Sequence, residues 1–339
     1  MTMTTHHRFL ASEETGRLPD GRPAGLAAGL AALPRPVAVA VGGGGVLGAA
    51  QVGIGYALEQ RGFVPDLIVG TSVGALNGAI AAAHPGTAAP WLDRVWTRVR
   101  RREVFPLCRL PSRAGVFADR GLRRLIAQAG LPSRIEQLDV PFAAVAMDLA
   151  TGAPALLDHG DLESALLASA AIPGILPPVV RGGRTLVDGG VIAFVPVRAA
   201  LEAGAASVVV LATGQTSMPP RPSAPPRWAG AVAARAGLLL LQHQIARDLR
   251  EVSERVPTVV LPTGVESWPA PWDFRQSRRL IHTAASAAGH FLDTLQIEGP
   301  GLYQADAGTR PPSHGPDTTG LRRAVAGPAA GHEGAGVRL

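Results

Sequence analysis

The chain contains no lysine, so all 32 of its Lys or Arg side chains are arginines. The single cysteine, Cys108, excludes an internal disulfide and leaves no framework for a cysteine-based metal site. A lone thiol fits a reducing compartment, and we expect a cytoplasmic protein. The formal net charge of +6 favours anionic partners such as membrane headgroups.

Long hydrophobic runs are also absent. The first twenty residues lack an apolar core of the length that a signal peptide needs. The longest apolar stretch, Trp228 to Leu241, contains Arg235 and is too short to span a bilayer. We therefore expect any membrane contact to be peripheral. For Trp228 to Leu241 we predict a helix packed in the core, with an apolar lid or acyl-chain wall as the alternative.

With 339 residues and 47% apolar content, the chain can bury one large core. Residues 1–34 and 299–339 are poor in large apolar side chains, which predicts disordered tails around a catalytic domain at 35–298. Between them, strand-like runs such as Val37 to Val41 and Ser207 to Ala212 alternate with helical ones such as Ala75 to Ala83. This alternation predicts an α/β fold: a mainly parallel central sheet between two helical layers.

The run Gly-Thr-Ser-Val-Gly places Ser72 between a strand and a helix. Such a turn exposes a serine hydroxyl as a nucleophile, and its glycines, Gly70 and Gly74, allow close backbone approach. A chain this rich in glycine can produce the pattern by chance, so partner residues decide its meaning.

A second glycine-rich segment, Gly42 to Gly48, follows the strand Val37 to Val41. Its GxGxxG spacing resembles a dinucleotide-binding loop, which requires an acidic residue at the end of the next strand. That place holds Thr71 and Ser72, while Asp66 precedes the strand. The alternative is an anion-binding nest of amide groups suited to an oxyanion.

A serine nucleophile requires a general base. His243, His282 and His290 lie within helical runs rather than in loops after strands, which disfavours a histidine base. Asp188 ends a short apolar run and precedes two glycines, so it is the better candidate.

The order of GGGGVLG at Gly42, GTSVG at Gly70 and DGG at Asp188 resembles the patatin-like phospholipase family. The segment ASAAIPGILPPV from Ala168 also resembles that family, and the likeness covers about residues 36 to 295. It implies a patatin-like fold, with Ser72 as nucleophile and Asp188 as proton acceptor of a dyad, and an oxyanion hole from Gly43, Gly44 and Gly45. The expected activity is hydrolysis of lipid acyl esters without cofactor or metal. Leu47 departs from the arginine or lysine usual there, which leaves headgroup preference open.

Two alternatives to a hydrolase remain: a patatin-fold acyltransferase or lipid-binding protein, and a nucleotide-binding protein. The expected partner is a lipid or ester substrate, with no nucleic acid. Peripheral contact with an anionic membrane is suggested by arginines interleaved with aromatic residues, among them Trp91, Trp96 and Phe105. The arginines are Arg94, Arg98, Arg100, Arg101, Arg102, Arg109 and Arg113. A solvated arginine face is the alternative.

Overall fold

The computed structural model describes residues 28–112, 115–213, 228–265 and 273–305. Its central element is a nine-stranded sheet in the order β11-β10-β9-β1-β2-β5-β8-β7, with β6 paired to β5. Strands β11 to β5 in this order are mutually parallel, whereas β6 and β8 run antiparallel to β5, and β7 antiparallel to β8. The bounds of these strands are β1 Val37–Val41, β2 Leu67–Thr71, β5 Phe142–Asp148, β6 Pro154–Leu157, β7 Val179–Arg181, β8 Arg184–Asp188, β9 Ser207–Leu211, β10 Pro257–Val260 and β11 Gly301–Gln304. A separate hairpin joins β3 Leu107–Ser112 to β4 Gly115–Phe117.

Helices cover both faces of the sheet. Within the described ranges, the α-helices are α1 Ala28–Ala31, α2 Ala49–Glu59, α3 Val73–Ala83, α4 Ala88–Arg98, α5 Arg101–Val104, α6 Arg120–Gln128, α7 Leu162–Ser169, α8 Val197–Glu202, α9 Ala229–Ser253 and α10 Ser277–Thr294. The larger core cluster joins the sheet to α2, α3, α4, α6, α7 and α10, and the smaller one joins it to α8 and the C-terminal part of α9. Because both faces are covered, the central strands are apolar along their whole length rather than at every second residue.

The predicted three-layer α/β architecture with a mainly parallel sheet is confirmed. Short 3-10 helices at Gly45–Gly48, Gly189–Val191 and Phe274–Gln276 follow strands or precede helices at one edge of the sheet. Parallel strands end together, so the loops after β1, β2, β9 and β10 meet at that edge. Ser72 follows β2 at this edge.

Three predictions differ from the structure. The domain limits 35–298 are too narrow, since Leu30 and Leu33 are buried and β11 extends the sheet beside β10. The rest of both predicted tails, 1–27 and 306–339, lies outside the described residues. The sequence pattern also predicts one helical region from Trp91 to about Glu103, which the structure divides into α4 and α5. The third difference is α9, whose first buried residue is Ile245, so core packing of Trp228 to Leu241 is wrong.

Candidate active site

Ser72 lies at the turn between β2 and α3 with φ 56° and ψ −126°. It is the one residue other than glycine with a positive φ among the described residues. Such a conformation costs about 1–3 kcal/mol and persists where the surroundings enforce it. Here the chain changes from a buried strand to a buried helix within one residue, which directs the hydroxyl out of the turn.

The two glycines of the turn are required by close backbone contacts, as the sequence predicted. A Cβ atom on Gly70 would lie 2.5 Å from the Gly74 carbonyl oxygen, and one on Gly74 would lie 2.2 Å from the Val41 carbonyl oxygen. Real Cβ atoms do not come so close to backbone atoms. The second contact joins α3 to the end of β1, so the same glycine that frees the turn also places it beside the glycine loop.

Asp188 ends β8 and faces Ser72, although 116 residues separate them in the sequence. The Ser72 hydroxyl donates to Asp188 Oδ2 at 2.6 Å, and the Gly190 amide donates to Oδ1 at 2.7 Å. Both side chains are buried, with 8% of Ser72 and 5% of Asp188 exposed. Burial raises the pKa of Asp188 to about 6, and the hydrogen bonds from Ser72 and Gly190 lower it in part.

The glycine loop offers fewer free amides than predicted. The Gly43 N–H donates to the Phe194 carbonyl at 2.8 Å, so the predicted donor role of Gly43 is wrong for this conformation. Among the described residues, the Gly44 and Gly45 amides have no hydrogen-bond acceptor. Gly44 adopts φ 146° and Gly45 φ 58°, a conformation that turns successive amides outward.

A buried amide network holds this loop. Gln51 Nε2 donates to the carbonyl oxygens of Gly42 and Leu211, at 2.8 and 3.0 Å. Asn77 Nδ2 donates to the Gly48 carbonyl at 3.1 Å and to Gln51 Oε1 at 2.8 Å, and its own oxygen accepts from Trp96 Nε1. Both ends of the loop are thus tied to α2 and α3. Sequence reasoning missed this network, because an amide within a helical run carries no pattern that identifies its partners.

Ser169 supports the serine turn directly. Its hydroxyl accepts the Ser72 N–H at 2.9 Å and donates to the Val145 carbonyl at 2.6 Å. The side chain is fully buried at the end of α7. The segment ASAAIPG was singled out from the sequence, but no role for its serine was predicted.

An apolar cavity opens from Ser72. It encloses about 950 Å³ of empty space, including the solvent at its mouth. Its walls come from α3, α4, α6 and α7, together with residues beside these helices. Representative lining residues are Leu76, Leu92, Ile126, Leu166 and Phe274. Walls of this kind suit a hydrocarbon chain rather than a polar substrate.

Other predicted features are placed as follows. His243, His282 and His290 are exposed on α9 and α10, and no histidine bonds Ser72 in the described part of the chain. Asp66 accepts the Val37 N–H at the opposite edge of the sheet, so it cannot bind a ribose at the glycine loop. Trp96 is buried rather than an exposed anchor. The side chain of Arg109 and all of Arg113 lie outside the described residues.

Part of this chain is similar to proteins of a known family. The family model of patatin-like phospholipases matches residues 39–201, a range that contains the glycine loop, Ser72 and Asp188. Over this range, slightly less than half of the chain, the sequence is that of a patatin-like phospholipase domain. An NTE family protein of Mycobacterium tuberculosis is 36% identical over 175 residues, which are 51% of this chain and 48% of that protein. The chain thus aligns with about half the length of this relative.

Other relatives and solved structures have lower sequence identity to this chain. Patatin-like phospholipase domain-containing protein 7 of Rattus norvegicus is 30% identical over 188 residues, 52% of this chain and 14% of that protein. Among solved structures, VipD from Legionella pneumophila has a TM-score of 0.43 at 13% identity, covering 77% of this chain and 67% of that one. The type III effector ExoU has a TM-score of 0.35 at 16% identity, covering 79% and 55%.

Proposed function

We propose that this chain is a serine lipid acyl hydrolase that cleaves acyl esters through a Ser72–Asp188 dyad. The observation that carries the proposal is the 2.6 Å hydrogen bond from the Ser72 hydroxyl to the buried Asp188 carboxylate, at the mouth of an apolar cavity. The family supports a lipid substrate, and the cavity supports an acyl chain beside the serine.

In the first half of the reaction, Ser72 Oγ attacks the ester carbonyl carbon while Asp188 Oδ2 accepts the hydroxyl proton. The amides of Gly44 and Gly45 donate to the oxyanion that forms, each contributing up to about 3 kcal/mol to the transition state. The bond to the alcohol then breaks, and Asp188 returns the proton to the leaving oxygen. An acyl-enzyme on Ser72 remains.

In the second half, Asp188 accepts a proton from water as the water oxygen attacks the acyl carbon. Collapse of this intermediate releases the fatty acid, and the proton returns to Ser72 Oγ. An aspartate in water is a weak base for an alcohol. Burial raises the pKa of Asp188 to about 6, which makes its carboxylate a better proton acceptor.

The test combines labelling with product analysis. Wild-type protein should react with a fluorophosphonate at Ser72 and release fatty acids from a lipid panel read by mass spectrometry. Ser72→Ala and Asp188→Asn should each lower the rate by about a thousandfold or more, because members of a catalytic unit act together.

Asp148→Asn is the matched control. Asp148 is also a buried carboxylate at the end of a strand, but its Oδ1 accepts a hydrogen bond from the Ala150 N–H. This variant should retain most of the activity. Undiminished turnover by folded Asp188→Asn would contradict the proposed dyad. Transfer of the acyl group to an added alcohol, without release of free fatty acid, would show that the protein is an acyltransferase rather than a hydrolase.

A further inference from the structure

The N-terminal part of α9 is apolar but exposed, and the first buried residue of this helix is Ile245. We call residues 228–243 the protruding segment; its one arginine is Arg235 and it contains no acidic residue. Trp228 is 69% exposed, Leu238 47% and Leu240 72%. Leu238 and Leu240 are two residues apart, about 200° around a helix, so they face nearly opposite directions. Exposure on opposite sides leaves much of this helix without a packing partner among the residues that the structure describes.

The edge of the sheet at which Ser72 follows β2 is called the catalytic edge, and the protruding segment lies beyond it. Since β9 and β10 are parallel neighbours, α9 connects them by running antiparallel to both. Gln244 donates to the carbonyl of Ile192, four residues after Asp188, and anchors the helix near the dyad. Preceding residues extend farther in the strand direction, by about 24 Å at 1.5 Å per residue.

An arginine cluster, Arg98, Arg100, Arg101, Arg102 and Arg275, stands at the same edge on the other face of the sheet. Phe274, next to Arg275, stacks on Trp96 with ring centroids 6.2 Å apart. Trp96 bonds Asn77, which lies on the helix that begins after Ser72. Surface depressions lined by these arginines share Val99, Phe105 and Phe274 with the apolar cavity.

We infer that the protruding segment and the arginine cluster dock the catalytic edge on an anionic phospholipid surface. An apolar helix without a protein partner gains free energy when its side chains enter the acyl boundary. Arginines on the opposite side of the cavity mouth attract the phosphate groups of the same surface. The two features flank Ser72, so one flat surface can touch both, and this charge complementarity favours a membrane over a second copy.

This inference rests on the proposed lipid hydrolase function, and its test separates the two. Ser72→Ala protein is sedimented with phosphatidylcholine vesicles and with vesicles containing about one third phosphatidylglycerol. Because binding is measured without turnover, failure of hydrolysis and failure of docking are independent results. We expect binding to both vesicles, stronger to the anionic ones and partly reduced by salt.

Substitutions separate the contribution of the protruding segment to vesicle binding from that of the arginine cluster. In the Ser72→Ala background, Leu238→Glu with Leu240→Glu should weaken binding by about tenfold or more, because carboxylates oppose insertion. Arg98→Gln and Arg102→Gln should each weaken binding to anionic vesicles by about fivefold and reduce the salt dependence. The matched control changes Val64 and Leu302 to Glu; these exposed apolar residues lie by the beginnings of β2 and β11, at the opposite edge. It should bind within about twofold of the parent.

Circular dichroism and thermal unfolding check that every variant is folded. Absent vesicle binding by the parent, or equal binding by folded Leu238→Glu/Leu240→Glu, would overturn the inference. A parent that binds no vesicle and forms a dimer, which this double variant converts to a monomer, would assign the segment to a second copy instead.

Discussion

The Asp188 carboxylate experiences opposing effects. Desolvation raises its pKa, while donation from Ser72 and Gly190 stabilises the ionised form, and the balance is a pKa of about 6. The Ser72 N–H donates to Ser169 and the Ser72 hydroxyl donates to Asp188, so both polar groups of Ser72 have buried partners. The positions of Ser72 and Asp188 are therefore fixed by burial and by hydrogen bonds to segments that are distant in the sequence.

This pKa predicts the pH dependence of the reaction. Under the proposed mechanism Asp188 must be ionised in the free enzyme, so kcat/KM for an ester without ionisable groups should be constant well above pH 6 and fall as pH decreases through about 6, approaching tenfold per unit below it. The measurement is kcat/KM against pH with a soluble ester, checked by the same profile for Asp148→Asn. A limb near pH 4 would show that Asp188 is not desolvated in solution.

At the scale of elements, helix α2 contributes both to the position of the glycine loop and to the packing of the helical layer. It carries Gln51, which holds the glycine loop, and packs against α10 through Gly53. A Cβ on Gly53 would lie 2.1 Å from the Ile281 carbonyl oxygen, whereas a Cβ on Gly55 would meet Ala89 Cβ at 3.6 Å. One glycine is required by helix contact, and its near neighbour is not.

These two positions predict effects of opposite sign. Gly53→Ala should lower the free energy of unfolding by about 1–3 kcal/mol, because the two helices must separate. Gly55→Ala should be neutral or stabilise by up to about 1 kcal/mol through helix propensity. Chemical denaturation, analysed with the same dependence of unfolding free energy on denaturant concentration for all variants, measures both changes in stability. Equal effects would show that α2 and α10 do not approach as closely as described.

For the whole molecule, the cavity is the feature that several elements build together. Ala129 at the end of α6, Trp96 on α4 and Leu166 on α7 all line it, although they are dispersed along the chain. In the part of the chain that the structure describes, no helix is long and apolar enough to cross a membrane. Under the proposed function, the acyl chain of the substrate lies in the cavity, because Ser72 is one of its lining residues.

Filling the cavity should change chain-length preference. Ala129→Trp should reduce kcat/KM for long-chain esters by about tenfold or more, with a smaller effect on a butyryl ester, since each excluded methylene is worth about 1–3 kcal/mol. Gln128→Trp is the control, because Gln128 is exposed on the same helix. Equal losses for short and long chains would place the acyl chain elsewhere.

Much of the fold was predictable from local pattern. The runs that begin at Val37, Leu67 and Ser207 are almost continuously apolar because their strands are buried on both faces, and these short apolar runs identified the strands. The short strands β7 and β11 were missed, because three or four mixed residues carry no periodic signal. The N-terminal half of α9 was predicted as a helix but wrongly placed in the core, because the sequence of an apolar helix does not show whether other segments pack against it.

The sequence by itself determined the site's local chemistry. Gly70 and Gly74 around Ser72, and Gly189 after Asp188, lie where a Cβ would collide with neighbouring backbone, so these motifs could be identified from the sequence alone. Tertiary structure alone decided which amides remain free, since Phe194 and not a neighbour in sequence engages Gly43. It likewise decided the support of Ser72 by Ser169, the cavity and the exposed helix. Those properties depend on distances between segments far apart in sequence, which local patterns do not specify.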